Sequence, residues 1–437
     1  MKVAVIGGGL AGSECAINLA GAGIKVTLYE MRPVNLTPAH KTAYFAELVC
    51  SNSLKSTELH NAHGLLKKEM EILGSQLLEF AKESSISGGR ALVVDRELFS
   101  QKVTEAIEFH PFIEVVREEV ISLPEADYIV IATGPLTSDN FAEFLKNLIG
   151  EDFLNFYDAV APIVTAESLD LSKMYFKDRH GEQDDIYLNI PLTKEQYLSF
   201  VEELRKAEIY EPHLEEDKNY FEACLPIEVM AKRGDETLRY GPMRPDGLTP
   251  PNGSKPYAVV QLRAENREKT LFSIVGFQTQ LKIKEQERIF RMLPGMEKAE
   301  FVVYGKVHRN TYLNSPRVLD DYLRLKGKDN IFFAGQIVGT EGYVEAIWGG
   351  LLVSIFIRKL HKTGKMPQLP PKTTITGALL DYITHYPYQD FKPMNANLGI
   401  LSPVNFRIRG KDRRIYKAQR AIRDITKWKE ENLSEIF

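Results

Sequence analysis

The chain has 437 residues, of which 44% are hydrophobic and 26% charged, a composition that excludes wholesale disorder and collagen-like repeats. Its 55 basic and 59 acidic side chains give a net charge of −4, which excludes a globally basic nucleic-acid-binding protein but allows a local basic patch. The length suggests two or three domains, or one large domain with an insertion.

Cysteine content and apolar stretches bear on the compartment. Three cysteines without a CxxC pair cannot form a disulfide framework, which is typical of a reducing compartment. The chain opens on a strand-like segment at Val3 rather than on a charged and apolar leader. Its longest uncharged apolar stretch, 346–357, falls far short of the roughly 20 residues of a membrane span. We therefore expect a cytoplasmic protein with a buried helix at this stretch.

The first thirty residues predict a strand, a glycine turn, a helix and a second strand. Residues 3–6 are apolar, residues 14–22 have helical apolar spacing, and residues 26–30 again resemble a strand. In this βαβ unit Gly7 permits the tight turn, Gly9 lets a pyrophosphate approach the backbone, and Gly12 lets the helix pack on the strand. Glu30 would bind a ribose diol. The predicted cofactor-binding residues are Gly7, Gly8, Gly9, Leu10, Ala11, Gly12 and Glu30.

Two later segments favour FAD over NAD as the dinucleotide. Residues 127–134 predict a buried strand that ends in a glycine turn, and residues 331–357 predict a strand, a glycine loop and an apolar helix. In flavoproteins of this kind a late strand returns to the sheet, and its loop meets the ribityl chain and the isoalloxazine ring. Gly335, Gly339, Thr340 and Gly342 are placed for that role.

The middle of the chain differs in character. We predict a helix near Leu65–Lys82, whereas residues 156–300 hold short alternating strands, turns from Pro242 to Pro256 and an acidic helix near Glu195–Glu208. The predicted fold is α/β, a Rossmann-like FAD-binding domain split by an inserted α+β domain. We expect residues 1–155 and 301–437 to form the FAD-binding domain, with a basic helical tail, and 156–300 to form the insertion.

Cysteines and the basic tail leave alternatives open at this stage. Cys15 lies in the predicted helix of the glycine motif, and we expect it to be a packing residue. Cys50 and Cys224 lie in more polar segments and are either structural or nucleophilic. Residues 407–423 carry eight basic side chains and one acid. They form either an amphipathic helix with a solvated face or a phosphate-contacting surface. His and carboxylate spacing gives no metal signature.

Long motifs, in order, carry a resemblance to a known family. They include AELVCSNSLKS, GGRALVVDRELFS, FEACLPIEVMAKRG, RYGPMRPDGL, YGKVHRNTYLNSP and FAGQIVGTEGYVEA, and they extend over nearly the whole chain. The chain resembles the folate- and FAD-dependent tRNA (uracil-5-)methyltransferases, the TrmFO type.

That resemblance implies methylation of uracil C5 in the T-loop of tRNA. The carbon would come from 5,10-methylenetetrahydrofolate, and reduced FAD, reloaded by NAD(P)H, would supply the electrons. The resemblance also implies that Cys50 and Cys224 are catalytic, with Cys224 adding to uracil C6 and Cys50 beside the flavin, or the reverse. His308 and Arg309 are implied as folate contacts. The tRNA would be contacted through Arg413, Arg414, Lys417 and Arg420, and no obligate protein partner is expected.

Three other functions compete with this one. The same chemistry could act on ribosomal RNA, or the chain could be a small-molecule FAD oxidoreductase whose tail only packs. It could also bind RNA and flavin without turnover.

Overall fold

The computed structural model describes residues 1–37, 39–149, 154–159, 161–179, 187–210, 225–264, 269, 271–305, 307–386, 391, 393–404, 406, 408 and 410–437. In chain order the strands are β1 Lys2–Ile6, β2 Lys25–Tyr29, β3 Ser53–Ser56, β4 Ser85–Ile86, β5 Ala91–Val94, β6 Ile113–Val116, β7 Tyr128–Ile131, β8 Leu154–Ala159, β9 Ile163–Thr165, β10 Tyr175–Phe176, β11 Tyr187–Leu192, β12 Ala258–Ala264, β13 Leu271–Ile274, β14 Phe301–Val303, β15 Val307–Tyr312 and β16 Ile331–Phe333. The α-helices are α1 Leu10–Gly21, α2 Ala62–Ile72, α3 Gln76–Glu83, α4 Arg96–Glu108, α5 Asp139–Ile149, α6 Lys194–Lys206, α7 Ile227–Lys232, α8 Thr237–Tyr240, α9 Ile283–Phe290, α10 Ser315–Val318, α11 Tyr343–Thr363, α12 Ile375–His385 and α13 Gly410–Leu433.

A five-stranded parallel sheet has the order β16-β7-β1-β2-β6. Its strands read as apolar runs because both faces are covered, and Val3, Val5, Val130 and Phe332 are fully buried. Strand β16 lies beside β7 although some 200 residues separate them in the chain. The late segment therefore returns to the N-terminal sheet, which confirms the predicted split fold.

A second sheet is antiparallel and has the order β10-β11-β12-β13-β9-β14. One face is apolar and packs against α6, α7 and α9 in a core of its own. The opposite face, which we call the polar face, carries Tyr187, Asn189, Gln261, Arg263 and Ser273. These strands lie between Ile163 and Val303. Strands β8 and β15 pair with each other as a separate two-stranded ribbon. The domain boundaries at residues 155 and 300 stay a prediction.

Helices α1 and α11 pack closely because glycines lie where they meet. A Cβ atom on Gly350 would lie 2.1 Å from the Ala11 carbonyl oxygen, so no side chain fits there. Helix α11 is buried over most of its length, including Trp348, Leu351 and Phe356. The apolar stretch at 346–357 is thus a buried helix, as expected. No helix in the described part of the chain is long and apolar enough to cross a membrane.

The helix predicted near Leu65–Lys82 is two helices, α2 and α3. Gly74 has φ +82°, a left-handed conformation that ends α2, and the Ser75 side chain accepts a hydrogen bond from the Leu78 N–H to begin α3. The apolar spacing continues across the break, which is why the sequence pattern missed it.

Candidate functional site: a dinucleotide cleft beside a cysteine loop

A cleft opens at the carboxyl ends of the parallel strands. It is lined by the glycine turn after β1, by the end of β2 and by the turn after β7; its lining includes Gly7, Gly9, Tyr29, Glu30 and Thr133. In open parallel sheets this is where ligands bind, because the loops that follow neighbouring strands meet there.

The glycine turn has the form that a pyrophosphate requires. Gly7 has φ +103°, and a Cβ there would lie 2.6 Å from the Ala132 carbonyl oxygen. A Cβ on Gly12 would lie 1.8 Å from the Gly7 carbonyl oxygen. At Gly9, by contrast, a Cβ would meet no protein atom within 4 Å, so this position faces open space in front of the α1 N-terminus. The residues present therefore fit a phosphate group that approaches the Gly9–Ala11 backbone.

Glu30 is a buried carboxylate at the end of β2. It accepts hydrogen bonds from the Gly8 N–H at 2.9 Å and from the N–H and Nε of Arg32 at 3.0 and 2.9 Å. Burial alone would raise the pKa of Glu30, but the hydrogen bonds and charge of Arg32 outweigh it and hold that pKa below its usual value. A ribose hydroxyl that reached Glu30 would share its oxygens with Arg32, a buried residue that the sequence reasoning missed. The sequence feature that could have indicated Arg32 is its position two residues after Glu30, the acidic residue at the end of β2.

The return loop after β16 lies against the glycine turn. Gly335 has φ +82°, and a Cβ there would lie 2.6 Å from the Ala11 Cβ. Thr340 is buried and donates its hydroxyl to the Gly335 carbonyl at 3.2 Å. Gly339 and Gly342 also lie in this loop and leave no room for a side chain. The structure thus brings the two predicted glycine segments together, although their contacts to a cofactor stay a prediction.

Residues 46–56, here called the Cys50 loop, contact the glycine turn after β1 and the start of α11. The Ala46 N–H donates to the Gly8 carbonyl at 2.9 Å. The N–H groups of Cys50 and Ser51 both donate to the Tyr343 hydroxyl oxygen, at 2.7 and 3.0 Å. Burial raises the pKa of Tyr343, which keeps its hydroxyl protonated. Cys50 itself is half-buried. A thiol-bearing loop is therefore fastened to both the glycine turn and the first residue of α11.

The other candidate residues are placed differently. Cys15 is fully buried in α1, and burial raises the pKa of its thiol, as expected of a packing residue. Cys224 lies outside the described residues. His308 and Arg309 lie on β15 through their backbone pairing with β8, and their side chains lie outside the described part. Their predicted roles stay predictions.

The basic tail is helix α13, and its four predicted contact residues divide into two pairs. Arg413 and Arg414 are exposed. Lys417 Nζ donates to the Leu398 carbonyl at 2.7 Å, and Arg420 Nη1 donates to the Pro403 carbonyl at 3.1 Å. Two of the four cations are thus engaged by the protein's own backbone.

Together, the parallel sheet, the N-terminal glycine turn and the late returning strand define a dinucleotide-binding fold of the flavoprotein class. The family described as "Glucose inhibited division protein A" (GIDA) matches residues 2–365. The chain is 53% identical to the "Methylenetetrahydrofolate--tRNA-(uracil-5-)-methyltransferase TrmFO" of Dictyoglomus thermophilum over 97% of each chain. It is 52% identical to the protein of that name from Aquifex aeolicus, over 99% of this chain and 97% of the other. The chain therefore belongs to the TrmFO family, and the resemblance read from its motifs is confirmed.

A solved structure shows the same fold. Aquifex aeolicus GidA superposes with a TM-score of 0.70 at 16% identity, over 98% of this chain and 73% of that chain. At this identity the likeness concerns the fold alone.

Proposed function

We propose that this protein methylates C5 of uracil in the T-loop of tRNA, with FAD as its bound cofactor and 5,10-methylenetetrahydrofolate as the carbon donor. The observation that carries the proposal is the attachment of the Cys50 loop to the glycine turn through Ala46 and Gly8. It fastens a loop that carries a cysteine to the glycine turn of a cleft that fits a dinucleotide. The chain is also about half identical to proteins named for this reaction. When bound, the flavin supplies the two electrons that reduce a methylene-level carbon to a methyl group, and NAD(P)H replaces them.

Uracil C5 is a weak nucleophile, and a cysteine supplies the activation. We assign that step to Cys224: its thiolate adds to uracil C6, and the electron pair of the C5–C6 double bond becomes available at C5 to attack the one-carbon unit. Loss of the C5 proton then breaks the bond between the transferred carbon and its carrier nitrogen, and leaves a methylene group on C5. Addition of a hydride to this methylene group, with expulsion of the thiolate from C6, gives the methyl group and restores the C5–C6 double bond. Cys50 is assigned to the flavin side of the cleft, because its loop is hydrogen-bonded to Gly8 in the N-terminal glycine turn and to Tyr343, which directly follows the glycine loop after β16.

The test is transfer of labelled carbon from methylenetetrahydrofolate to RNA transcripts. A tRNA transcript should gain label at its T-loop uridine, and a transcript with that uridine replaced by cytidine should not. Label in ribosomal RNA alone would assign the chemistry to the other substrate. Oxidation of NAD(P)H with a small molecule as the electron acceptor, without folate and with no label in either RNA, would contradict the proposed methyltransferase activity.

A further inference from the structure

The Cys50 loop is also fastened to the second sheet. The Arg263 guanidinium, at the end of β12, donates from Nη2 to the Ser51 hydroxyl oxygen at 2.6 Å. The Asn52 side chain donates from Nδ2 to the Ala264 carbonyl at 3.0 Å, and Asn52 is fully buried. Residues 51 and 52 follow Cys50 directly. The Cys50 loop therefore contacts the insertion sheet at the two residues that follow Cys50.

The same loop is also held by the glycine turn after β1 and by helices α11 and α2. Tyr343 accepts the Cys50 and Ser51 N–H groups, and Gly8 accepts the Ala46 N–H. Further along, Lys67 Nζ donates to the carbonyls of Leu54 and Ser56, both at 2.7 Å. The position of Cys50 therefore depends on contacts from both domains, and one of the two contacts with the insertion sheet is made by a charged side chain.

Arg263 has the chemistry to influence a thiol as well as a loop. It lies on the polar face of the sheet, where it also hydrogen-bonds the Tyr187 side chain. A guanidinium is charged at every working pH and orients its donors in a rigid plane. A cation beside a cysteine favours the thiolate, which is the reactive form.

We propose that Arg263 is a positioning residue for Cys50: through its hydrogen bond to the Ser51 hydroxyl it fixes the Cys50 loop against the insertion sheet and holds a permanent positive charge on the side chain of the residue that follows Cys50. This rests on the proposed function in giving Cys50 a part in the reaction. In consequence, the insertion domain acts on the Cys50 loop through the Arg263 side chain as well as through the Ala264 backbone, and a displacement of that domain would alter the reactivity of Cys50.

The test measures the reactivity of Cys50 in the resting, flavin-loaded protein. Alkylation by iodoacetamide is followed across pH, and mass spectrometry of the Cys50 peptide separates it from the other two cysteines. R263M should raise the titration midpoint of Cys50 by about one pH unit and slow alkylation about tenfold below that midpoint. R263K keeps the charge and should recover most of that shift. The turnover number for RNA methylation should fall in R263M with KM for RNA within about twofold.

Arg179 gives a matched control, because its guanidinium contacts Gln261 on the polar face of the same sheet. Its guanidinium donates to the Asp246 carbonyl at 2.7 Å and to Gln261 Oε1 at 3.1 Å, which keeps these contacts within the insertion domain. R179M removes the same charge and should leave the Cys50 profile unchanged. If R263M does not fold, S51A removes the hydroxyl that accepts from Arg263, together with its hydrogen bond from the Ser53 N–H at 3.1 Å, and should shift the midpoint in the same direction.

An unchanged Cys50 midpoint in R263M or, where that variant does not fold, in S51A would overturn the proposal, as would an equal shift in R179M. These readouts need no RNA and no folate. A wild-type protein that fails to methylate RNA would therefore count against the proposed function only, and the alkylation profiles would still decide the role of Arg263.

Discussion

Replacing Gly9 with valine should empty the dinucleotide cleft and leave the fold in place. Gly9 has φ −75°, which any residue adopts, and its Cβ position has no protein atom within 4 Å. The cost to folding is that of a poorer helix N-cap, at most about 1 kcal/mol. The added methyl groups, however, would stand where a phosphate approaches the α1 N-terminus. Loss of two hydrogen bonds between backbone N–H groups and a charged phosphate, at roughly 1.5–3 kcal/mol each, weakens binding about 10²–10⁴-fold.

The measurement is flavin absorbance per mole of purified protein, followed by fluorescence titration of FAD into the apoprotein and a thermal melt. Gly21→Val is the matched control, because Gly21 lies on the same helix and its Cβ position is also open. Gly12→Val should instead prevent folding, because its Cβ would lie 1.8 Å from the Gly7 carbonyl oxygen. A Gly9→Val protein that binds FAD as tightly as the Gly21→Val control would refute the assignment of the glycine turn to the pyrophosphate.

Three further predictions concern the nucleophile, the tail and a buried acid. With 5-fluorouridine at the target position, wild type should form a covalent RNA adduct on Cys224 and Cys224→Ala should form none; an adduct mapped elsewhere reverses the roles of the cysteines. Replacing Arg413 and Arg414 with glutamine should weaken RNA binding and flatten its log–log salt dependence by up to about two units, whereas Lys417→Gln should mainly lower the melting temperature. Burial raises the pKa of Glu69 from 4.5 to about 7, so the folded protein binds the Glu69 proton more tightly than the unfolded chain does. The resulting contribution to the free energy of unfolding, on the order of 3 kcal/mol, is fully present at low pH and should be lost as the pH rises from about 4.5 to 7. The free energy of unfolding should therefore change less with pH in Glu69→Gln than in wild type.

Much of the first domain was predictable because its signals are local. The strand, turn and helix from Lys2 to Gly21 follow from an apolar run and a glycine motif, and the buried helix α11 follows from its composition. The break at Gly74 was missed because apolar spacing continues across it. The contacts of the polar face of the second sheet were also missed. Alternating polar and apolar residues predict that a strand has one polar face, but they do not predict which residues contact that face.

The candidate site was predictable only where a motif carries its own chemistry. The glycine segments were found from sequence, and so was Cys50. Tyr343 and Arg263 were not, because their partners in the Cys50 loop lie 293 and 212 residues away in the chain. Without the fold, a tyrosine that starts an apolar helix and an arginine in a strand predict ordinary packing and an exposed charge. Their hydrogen bonds to the Cys50 loop appear only in the folded structure.

Buried glutamates explain how distant segments of the first domain are held in place around this cleft. Glu14, in the glycine-motif helix, accepts the N–H groups of Gln76 and Leu77 at the start of α3, at 3.1 and 2.7 Å. Glu69 accepts those of Ile375 and Thr376 at the start of α12, at 2.8 and 2.7 Å. Each carboxyl satisfies two N–H groups that a helix start leaves without partners in the helix itself. Since burial raises the pKa of both acids to about 7, the contacts join N-terminal helices to later ones without requiring a permanent buried charge. The segment at the start of α12 is thereby fixed on α2, although Glu69 and Ile375 lie more than 300 residues apart in the chain.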